Sequence, residues 1–392
     1  MWFFRSPTVV FGEDALQHLR EIKATKAFLV TDKFLNEKGI TAPVQVQLSR
    51  AAIPFEIFDD IEPEPSLETI ERGADAFDVS GADLIVAVGG GSVLDAAKAI
   101  WVLAENPDLE LEQVSPLEPI KIRERARLVA IPTTAGTGSE VTWAFVVTMP
   151  GENGGPPRKL GSGHPSAVPD YALVDPVMSA TMPAAITADT GMDALVQAIE
   201  GYIGNWSNDF SDGLCLVAAK LCFEWLERSY ADPADREAIE RMANAASIGG
   251  LGYINSMVGL AHSMGHALGA SFKLPHGRLV GVCLPTALEF YAKTGDDERC
   301  ADIVRFLGAE PPPGEPPGVT LAGMVRALAE KIEQPRTLDG AGITMADIDK
   351  AMPALIDHAM GDTVLFSSPR QPTEDELRRL FQCVHSGARA DF

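Results

Sequence analysis

The sequence predicts an α/β domain over residues 1–181 followed by an all-helical domain over residues 182–392. Three observations carry that reading. Up to about residue 180, Val- and Ile-rich runs ("KAFLVTD", "FEIFDD", "ADLIVAVGGG", "RLVAIPTTAG", "FVVTMP", "YALVDP") alternate with helix-like segments, the pattern of a mostly parallel sheet covered by helices on both faces. From "MPAAITADTGMDALVQAIEGYI" onward helical periodicity takes over, with long apolar-faced stretches at 213–229 and 235–270. The length of 392 residues is enough for two full cores, at roughly 100–200 residues per domain.

The opening "MWFFRSPTVVFGEDAL" reads as an N-terminal strand, because it lacks the basic start, long apolar middle and cleavage site of a secretion signal. Asp83, Asp95 and Lys98 break up the most hydrophobic region, so no run reaches the ~18 residues of a membrane span, and a soluble protein is expected. A hydrophobic fraction of 46% and a charged fraction of 22% are globular values. The net charge of −23 repels nucleic acid and anionic lipid, so neither is an expected partner. Five cysteines (215, 222, 283, 300 and 383) form no C-x-x-C pair and read as reduced core thiols of a cytoplasmic protein.

In "ADLIVAVGGGSVLDAAKAI" a buried strand meets a glycine turn and then a helix beginning near Ser92. Gly89, Gly90 and Gly91 let backbone amides approach an anion, and the helix N-terminus adds free N–H donors and a favourable dipole. A pyrophosphate fits, although the pattern is not G-x-G-x-x-G and a tight structural turn has the same composition. A second strand ends in "IPTTAGTGSEVT", which gathers Thr133, Thr134, Thr137 and Ser139 with Gly136 and Gly138. Hydroxyls and bare backbone at a strand end suit ribose and phosphate. Asp32 closes the strand "AFLVTD", where a carboxylate can accept from an adenosine ribose and repel a 2′-phosphate, or simply serve the turn.

The helical half holds "GLAHSMGHALGASFKLPHGR", with His262 and His266 four apart on one helix and His276 just before the next. The group suggests metal ligands but contains no carboxylate. On "TGMDALVQAIEGYI", Asp193 and Gln197 share a polar face, and Asp193 is the best candidate to complete the set. Aspartate with histidines suits Fe²⁺ or Zn²⁺, and three protein ligands leave a position open for a substrate oxygen. "EPPPGEPPG" is a loop between helices, and Thr373 with Glu376 has capping-box spacing at the start of the last helix.

These motifs, with "LVDP" and "PHG" in the same order nearly end to end, and more weakly "SPRQPTEDEL", resemble the iron-containing (group III) alcohol dehydrogenases. The resemblance implies a Rossmann-like N-terminal domain and a helical C-terminal domain, the dehydroquinate synthase-like architecture. It also implies NAD(H) in a cleft, one divalent metal (Fe²⁺ or Zn²⁺), a small alcohol or aldehyde as substrate, and a homodimer or higher homo-oligomer. Carried over by position, Asp193, His262 and His276 match metal ligands, and His266 the catalytic histidine beside nicotinamide and substrate. Gly90, Gly91, Ser92 and Asp95 match the cofactor-phosphate turn, Thr133, Thr134 and Ser139 the second cofactor loop, Lys159 a lysine near the ribose, and Asp32 the position that favours NAD over NADP.

One departure stands out. The family pattern is D-A-L-x-H, and here "DALVQ" places Gln197 where a fourth ligand, a histidine, is expected. Either Gln197 binds weakly through its amide oxygen, or the metal keeps three protein ligands and a water, as in the related glycerol dehydrogenases. Two rivals are His266 swinging onto the metal and a site without metal. Trp143, Phe145 and Tyr253 are candidates to line the pocket, and Lys273 and Arg278 either face an anionic substrate or point to solvent or a partner chain. Two other functions are a hydroxyacid-oxoacid transhydrogenase and a catalytically weakened nucleotide-binding relative.

Overall fold

The alternating runs of the first half become strands β1 (Thr8–Phe11), β2 (Ala27–Val30), β3 (Phe55–Phe58), β4 (Leu84–Gly89), β5 (Arg127–Pro132), β6 (Ala144–Met149), β7 (Arg158–Gly163) and β8 (Tyr171–Val174). Between them lie helices α1 (Lys33–Glu37), α2 (Ala42–Arg50), α3 (Leu67–Ser80), α4 (Gly91–Glu105) and, after β8, α5 (Pro176–Ser179). The computed structural model describes residues 3–151, 158–293 and 297–392. The chain divides into two units, Met1–Met182 and Pro183–Phe392.

In the first unit six strands form one sheet in the order β1-β8-β5-β4-β2-β3, with every neighbouring pair parallel. Residues alternate between two cores, as a pleated strand requires. Phe28, Val30, Ile85, Ala87, Leu128 and Ala130 pack with Ile70 and Phe77 of α3 and Trp101 of α4. Ala27, Leu29, Leu84, Val86, Val129 and Ile131 pack with Val44 and Leu48 of α2 on the other face. The chain runs from β2 outward to β3 and then returns to β4 on the opposite side of β2. The carboxyl ends of β2 and β4 therefore flank the topological switch point, where open α/β sheets take ligands.

Two expectations change. "FVVTMP" does not join the parallel sheet: β6 pairs antiparallel with β7, in register from Ala144↔Gly163 to Met149↔Arg158. Strand β7, "RKLGSG", lacks the apolar alternation that marks a strand in sequence and is held by this hairpin pairing. Phe145 does not line a pocket; it is 1% exposed and belongs to the sheet core.

The second unit consists of α6 (Ala184–Ile203), α7 (Asp209–Ala231), α8 (Arg236–Tyr253), α9 (Leu260–Phe272), α10 (His276–Ala292), α11 (Glu298–Phe306), α12 (Pro317–Lys331), α13 (Met345–Gly361) and α14 (Glu374–Ser386). The apolar stretch at 235–270 divides between α8 and α9, because Met257 adopts a left-handed φ of 69° that no helix can contain. Helix α6 is the centre of this unit. From Thr187 to Ile203 every residue except Thr190 is buried, the expected position of a helix that is apolar on most of its circumference. Thr373 and Glu376 form the predicted capping box on α14. The five cysteines are free thiols, and all but Cys383 are buried.

Candidate active site

Three elements of the second unit bring the predicted ligands together. Asp193 is on α6, His262 in the first turn of α9, and His276 is the first residue of α10. One ligand atom from each lies within 4.8 Å of the other two. The glycine of "PHG" makes this approach physically attainable: a Cβ on Gly277 would sit 1.9 Å from the Asp189 carbonyl oxygen and 3.1 Å from the Asp193 Cβ. Only a residue without a side chain lets the start of α10 touch α6 there.

Asp193 Oδ1 is buried and accepts no hydrogen bond among the described residues. The Nε2 atoms of His262 and His276 face it at 3.6 and 3.5 Å, too far for good hydrogen bonds. Two donors each about 2.1 Å from a tetrahedral ion stand about 3.4 Å apart, so the spacing is that of groups arranged around a cation. Burial alone raises a carboxyl's pKa, but the charge of His276, with His262 beside it, holds Asp193 well below the usual range. Burial alone lowers an imidazole's, but Asp193 and Glu200 on either side push His262 up to about 9. Gln197 is buried on α6 one turn beyond Asp193.

Two carboxylates that the sequence reading did not single out hold the histidines. Glu200, 2% exposed, accepts from His262 Nδ1 at 2.6 Å and from the backbone N–H groups of Gly259, Ala261 and His262 at 2.9, 2.6 and 3.3 Å. Asp362 meets His266 Nδ1 at 2.6 Å. Burial would raise the Asp362 carboxyl, and the bond to His266 keeps it low. The rings of His266 and His276 stack, with centroids 5.2 Å apart and planes 20° from parallel. The spacing of Asp193, Gln197 and Glu200 (i, i+4, i+7) puts Glu200 on the same stripe of α6 as Asp193, a signal present in the sequence; nothing local marks Asp362.

Arg278 is not a free cation for an anionic substrate. Its Nε and one terminal nitrogen bind the two oxygens of Asp189 at 3.0 and 3.1 Å, and Gln334 donates to the same carboxylate at 2.9 Å. Lys273 is the left-handed C-cap of α9.

In the first unit Gly89, Gly90 and Gly91 join the end of β4 to the start of α4. The loop after β5 packs against this turn: the Thr133 N–H donates to the Gly89 carbonyl at 3.0 Å, and Thr134 and Thr137 are the side chains a Cβ on Gly90 or Gly91 would meet first, at 3.2 and 2.9 Å. Asp32 lies two residues beyond β2 and caps α1, its Oδ1 accepting from Leu35 N at 2.8 Å. Other nominated side chains bond within the protein. Ser139 Oγ donates to Asp95 at 2.5 Å, and Asp95 also accepts from Val146 N at 3.0 Å. Lys159 pairs with Glu64 at 2.8 Å, and the Glu64 N–H donates to Ser92 Oγ at 3.3 Å. Glu64, missed in the sequence, thus links Lys159 to the glycine turn from a left-handed φ of 58°.

Comparison with known proteins identifies the family of the chain. The iron-containing alcohol dehydrogenase family matches residues 6–176, and the C-terminal domain of the Fe-containing alcohol dehydrogenase family matches residues 187–384. The chain is 34% identical to an NADPH-dependent butanol dehydrogenase of Clostridium saccharobutylicum, covering 98% of each chain. It is 34% identical to a lactaldehyde reductase of Escherichia coli, covering 95% of this chain and 97% of that one. An alcohol dehydrogenase from Oenococcus oeni superposes with a TM-score of 0.89 at 29% identity, covering 98% of this chain and all of that one. The chain spans about half the length, 46%, of the aldehyde-alcohol dehydrogenases it also matches. It belongs to the iron-containing alcohol dehydrogenase family, oxidoreductases whose membership implies a divalent metal and a nicotinamide cofactor.

Proposed function

We propose that the protein is a metal-dependent, NAD-linked alcohol dehydrogenase that interconverts a small, uncharged alcohol and its aldehyde. The observation that carries this reading is the buried Oδ1 of Asp193, without a donor among the described residues and faced by two imidazole nitrogens at 3.6 and 3.5 Å. Asp193, His262 and His276 would hold one Fe²⁺ or Zn²⁺, with Gln197 at most a weak neutral donor. When bound, the cation supplies a Lewis acid for the substrate oxygen and the nicotinamide carries the hydride.

His266 is the proton carrier. Its Nδ1 is committed to Asp362, which leaves Nε2 to take the alcohol's proton on oxidation and return it on reduction. The amides of Gly89, Gly90, Gly91 and Ser92 at the start of α4 bind the pyrophosphate. Thr133, Thr134 and Thr137 offer hydroxyls to the nucleotide, and Lys159 is assigned to its ribose. Asp95 and Ser139 serve the cofactor by holding these loops together. Asp32 keeps one carboxylate oxygen on its helix cap, and its charge opposes a 2′-phosphate, which favours NAD(H). The commitment of Arg278 to Asp189 supports an uncharged substrate. Buried free thiols fit the cytoplasm, and the edge strand β1, with Phe11 66% exposed, supports a homo-oligomer. None of the described helices is long and apolar enough to cross a membrane.

Exhaustive chelation is expected to abolish turnover and Fe²⁺ or Zn²⁺ to restore it, while Asp193→Asn lowers kcat by roughly three orders of magnitude or more. Full activity in metal-free protein overturns the metal-dependent reading. A higher kcat/KM with NADH than with NADPH, narrowed by Asp32→Gly, is expected of the cofactor; a preference for NADPH removes Asp32 from that role.

A further inference from the structure

We infer that Glu200 is a positioning residue of the metal centre, fixing the His262 ring so that Nε2 is presented beside Asp193; this rests on the reading of Asp193, His262 and His276 as ligands. The carboxylate lies on the Asp193 face of α6 and its oxygens meet four donors, three of them backbone N–H groups at the start of α9 and the fourth His262 Nδ1. An ordinary helix cap needs only the amides. The bond to Nδ1 at 2.6 Å adds something a cap does not require: it places the ring proton on Nδ1 and the lone pair on Nε2, the tautomer a metal ligand must have.

Two further features point the same way. Gly259 leaves room for the carboxylate, since a Cβ there would come within 3.2 Å of Glu200 Oε1. The charge of Glu200 also suits a cation beside His262. A dication with Asp193 and two neutral imidazoles carries a net +1 in a buried site, and the carboxylate of Glu200, reached through one imidazole, brings the assembly to zero. In a site where Gln197 replaces a stronger donor, the His262–Glu200 pair is the means by which the remaining ligands are strengthened.

The test uses the full chain, with Zn²⁺ titrated against a competing chromophoric chelator and Co²⁺ as an absorption probe. Glu200→Gln is expected to weaken Zn²⁺ binding by about 10–100-fold and to shift the Co²⁺ visible bands, with the apoprotein's circular dichroism close to wild type. Unchanged affinity and spectrum overturn the inference. Placed in a His262→Ala background, Glu200→Gln is expected to lower affinity far less than in wild type; an equal loss there means that Glu200 acts elsewhere and also overturns it. Where Glu200→Gln does not fold, Glu200→Asp keeps a charge for the backbone amides but draws it back from Nδ1, and an affinity equal to wild type is again the overturning result. Asp193→Asn separates the two levels. Wild-type binding in that variant defeats the ligand assignment itself, whereas its loss beside an unaffected Glu200→Gln defeats only the role of Glu200.

Discussion

The two candidate sites are built from opposite materials. In the second unit the chemistry lies in side chains spaced along one helix: Asp189 holds Arg278, Asp193 faces two imidazoles, and Glu200 holds His262. In the first unit it lies in backbone, where glycines and a helix N-terminus sit at the carboxyl ends of β2, β4 and β5, and several nearby polar side chains are bonded to one another. The difference teaches that a side-chain site tolerates little movement of its scaffold, whereas a backbone site is sensitive to any atom added above it.

A pair of glycine substitutions breaks or sharpens this contrast. Gly277→Ala drives a Cβ into backbone, 1.9 Å from the Asp189 carbonyl oxygen, so α10 must shift; a loss of about 3 kcal/mol or more is expected, with loss of metal binding. Gly91→Ala meets a side chain, Thr137 Cγ2 at 2.9 Å, which can yield at a cost of about 1 kcal/mol. Its larger effect falls on NADH, whose affinity drops about tenfold as the displaced Thr137 disturbs the turn proposed to hold the pyrophosphate. Thermal melts and cofactor fluorescence titration read the two. A Gly277→Ala protein as stable as wild type, or a Gly91→Ala protein with unchanged NADH binding, removes the distinction.

The scaffold under the glycine turn and the loop after β5 carries a pH signature of its own. Lys98 is wholly buried and donates to Ser139 Oγ, Thr142 Oγ1 and the Ala144 carbonyl at 2.7, 3.1 and 2.7 Å, with Asp95 at 3.6 Å. Burial pushes its pKa down to about 8, against the pull of Asp95 and Glu140. In the unfolded chain it titrates near ~10.4. Between these values the unfolded state binds the extra proton, so stability from this group rises with pH from 8 to 10 and is lower below pH 8. Lys98→Met lacks the effect. The gap in unfolding free energy between wild type and Lys98→Met is expected to widen by about 2 kcal/mol from pH 8 to pH 10, and a flat difference in denaturant melts would contradict the assignment.

Much of both regions was legible in the sequence because it depends on local chemistry. The strands of the parallel sheet, the glycine turn before α4 and the helix that carries Asp193 follow from periodicity and composition. The hairpin β6–β7 was not legible, since β7 is polar and its partner supplies the pairing. Asp362 reaches His266 across 96 residues of chain, a contact that no spacing rule encodes. Glu200 was legible in principle, one helical stripe from Asp193. Asp95 and Ser139 illustrate the reverse case: their motifs suggest contacts to a ligand, whereas their polar atoms bond to each other, to Val146 N and to Lys98.

The smallest effect expected is at position 197, where the sequence departs from its family's pattern. Gln197 is buried one turn from Asp193 on the same stripe of α6, and an amide oxygen is a weak donor to Fe²⁺ or Zn²⁺. Gln197→His places an imidazole nitrogen at that register. Zn²⁺ affinity is expected to rise by up to about tenfold, or about 1.4 kcal/mol, a gain kept small by the cost of burying a larger ring against packed neighbours. Competition titration of both proteins with the same chelator measures it. An unchanged affinity would place residue 197 outside the coordination sphere and leave Asp193, His262 and His276 as the whole protein ligand set. A weaker affinity would instead mean that the glutamine amide has a task that imidazole cannot perform, and the stripe on α6 would then hold four functional side chains in place of three.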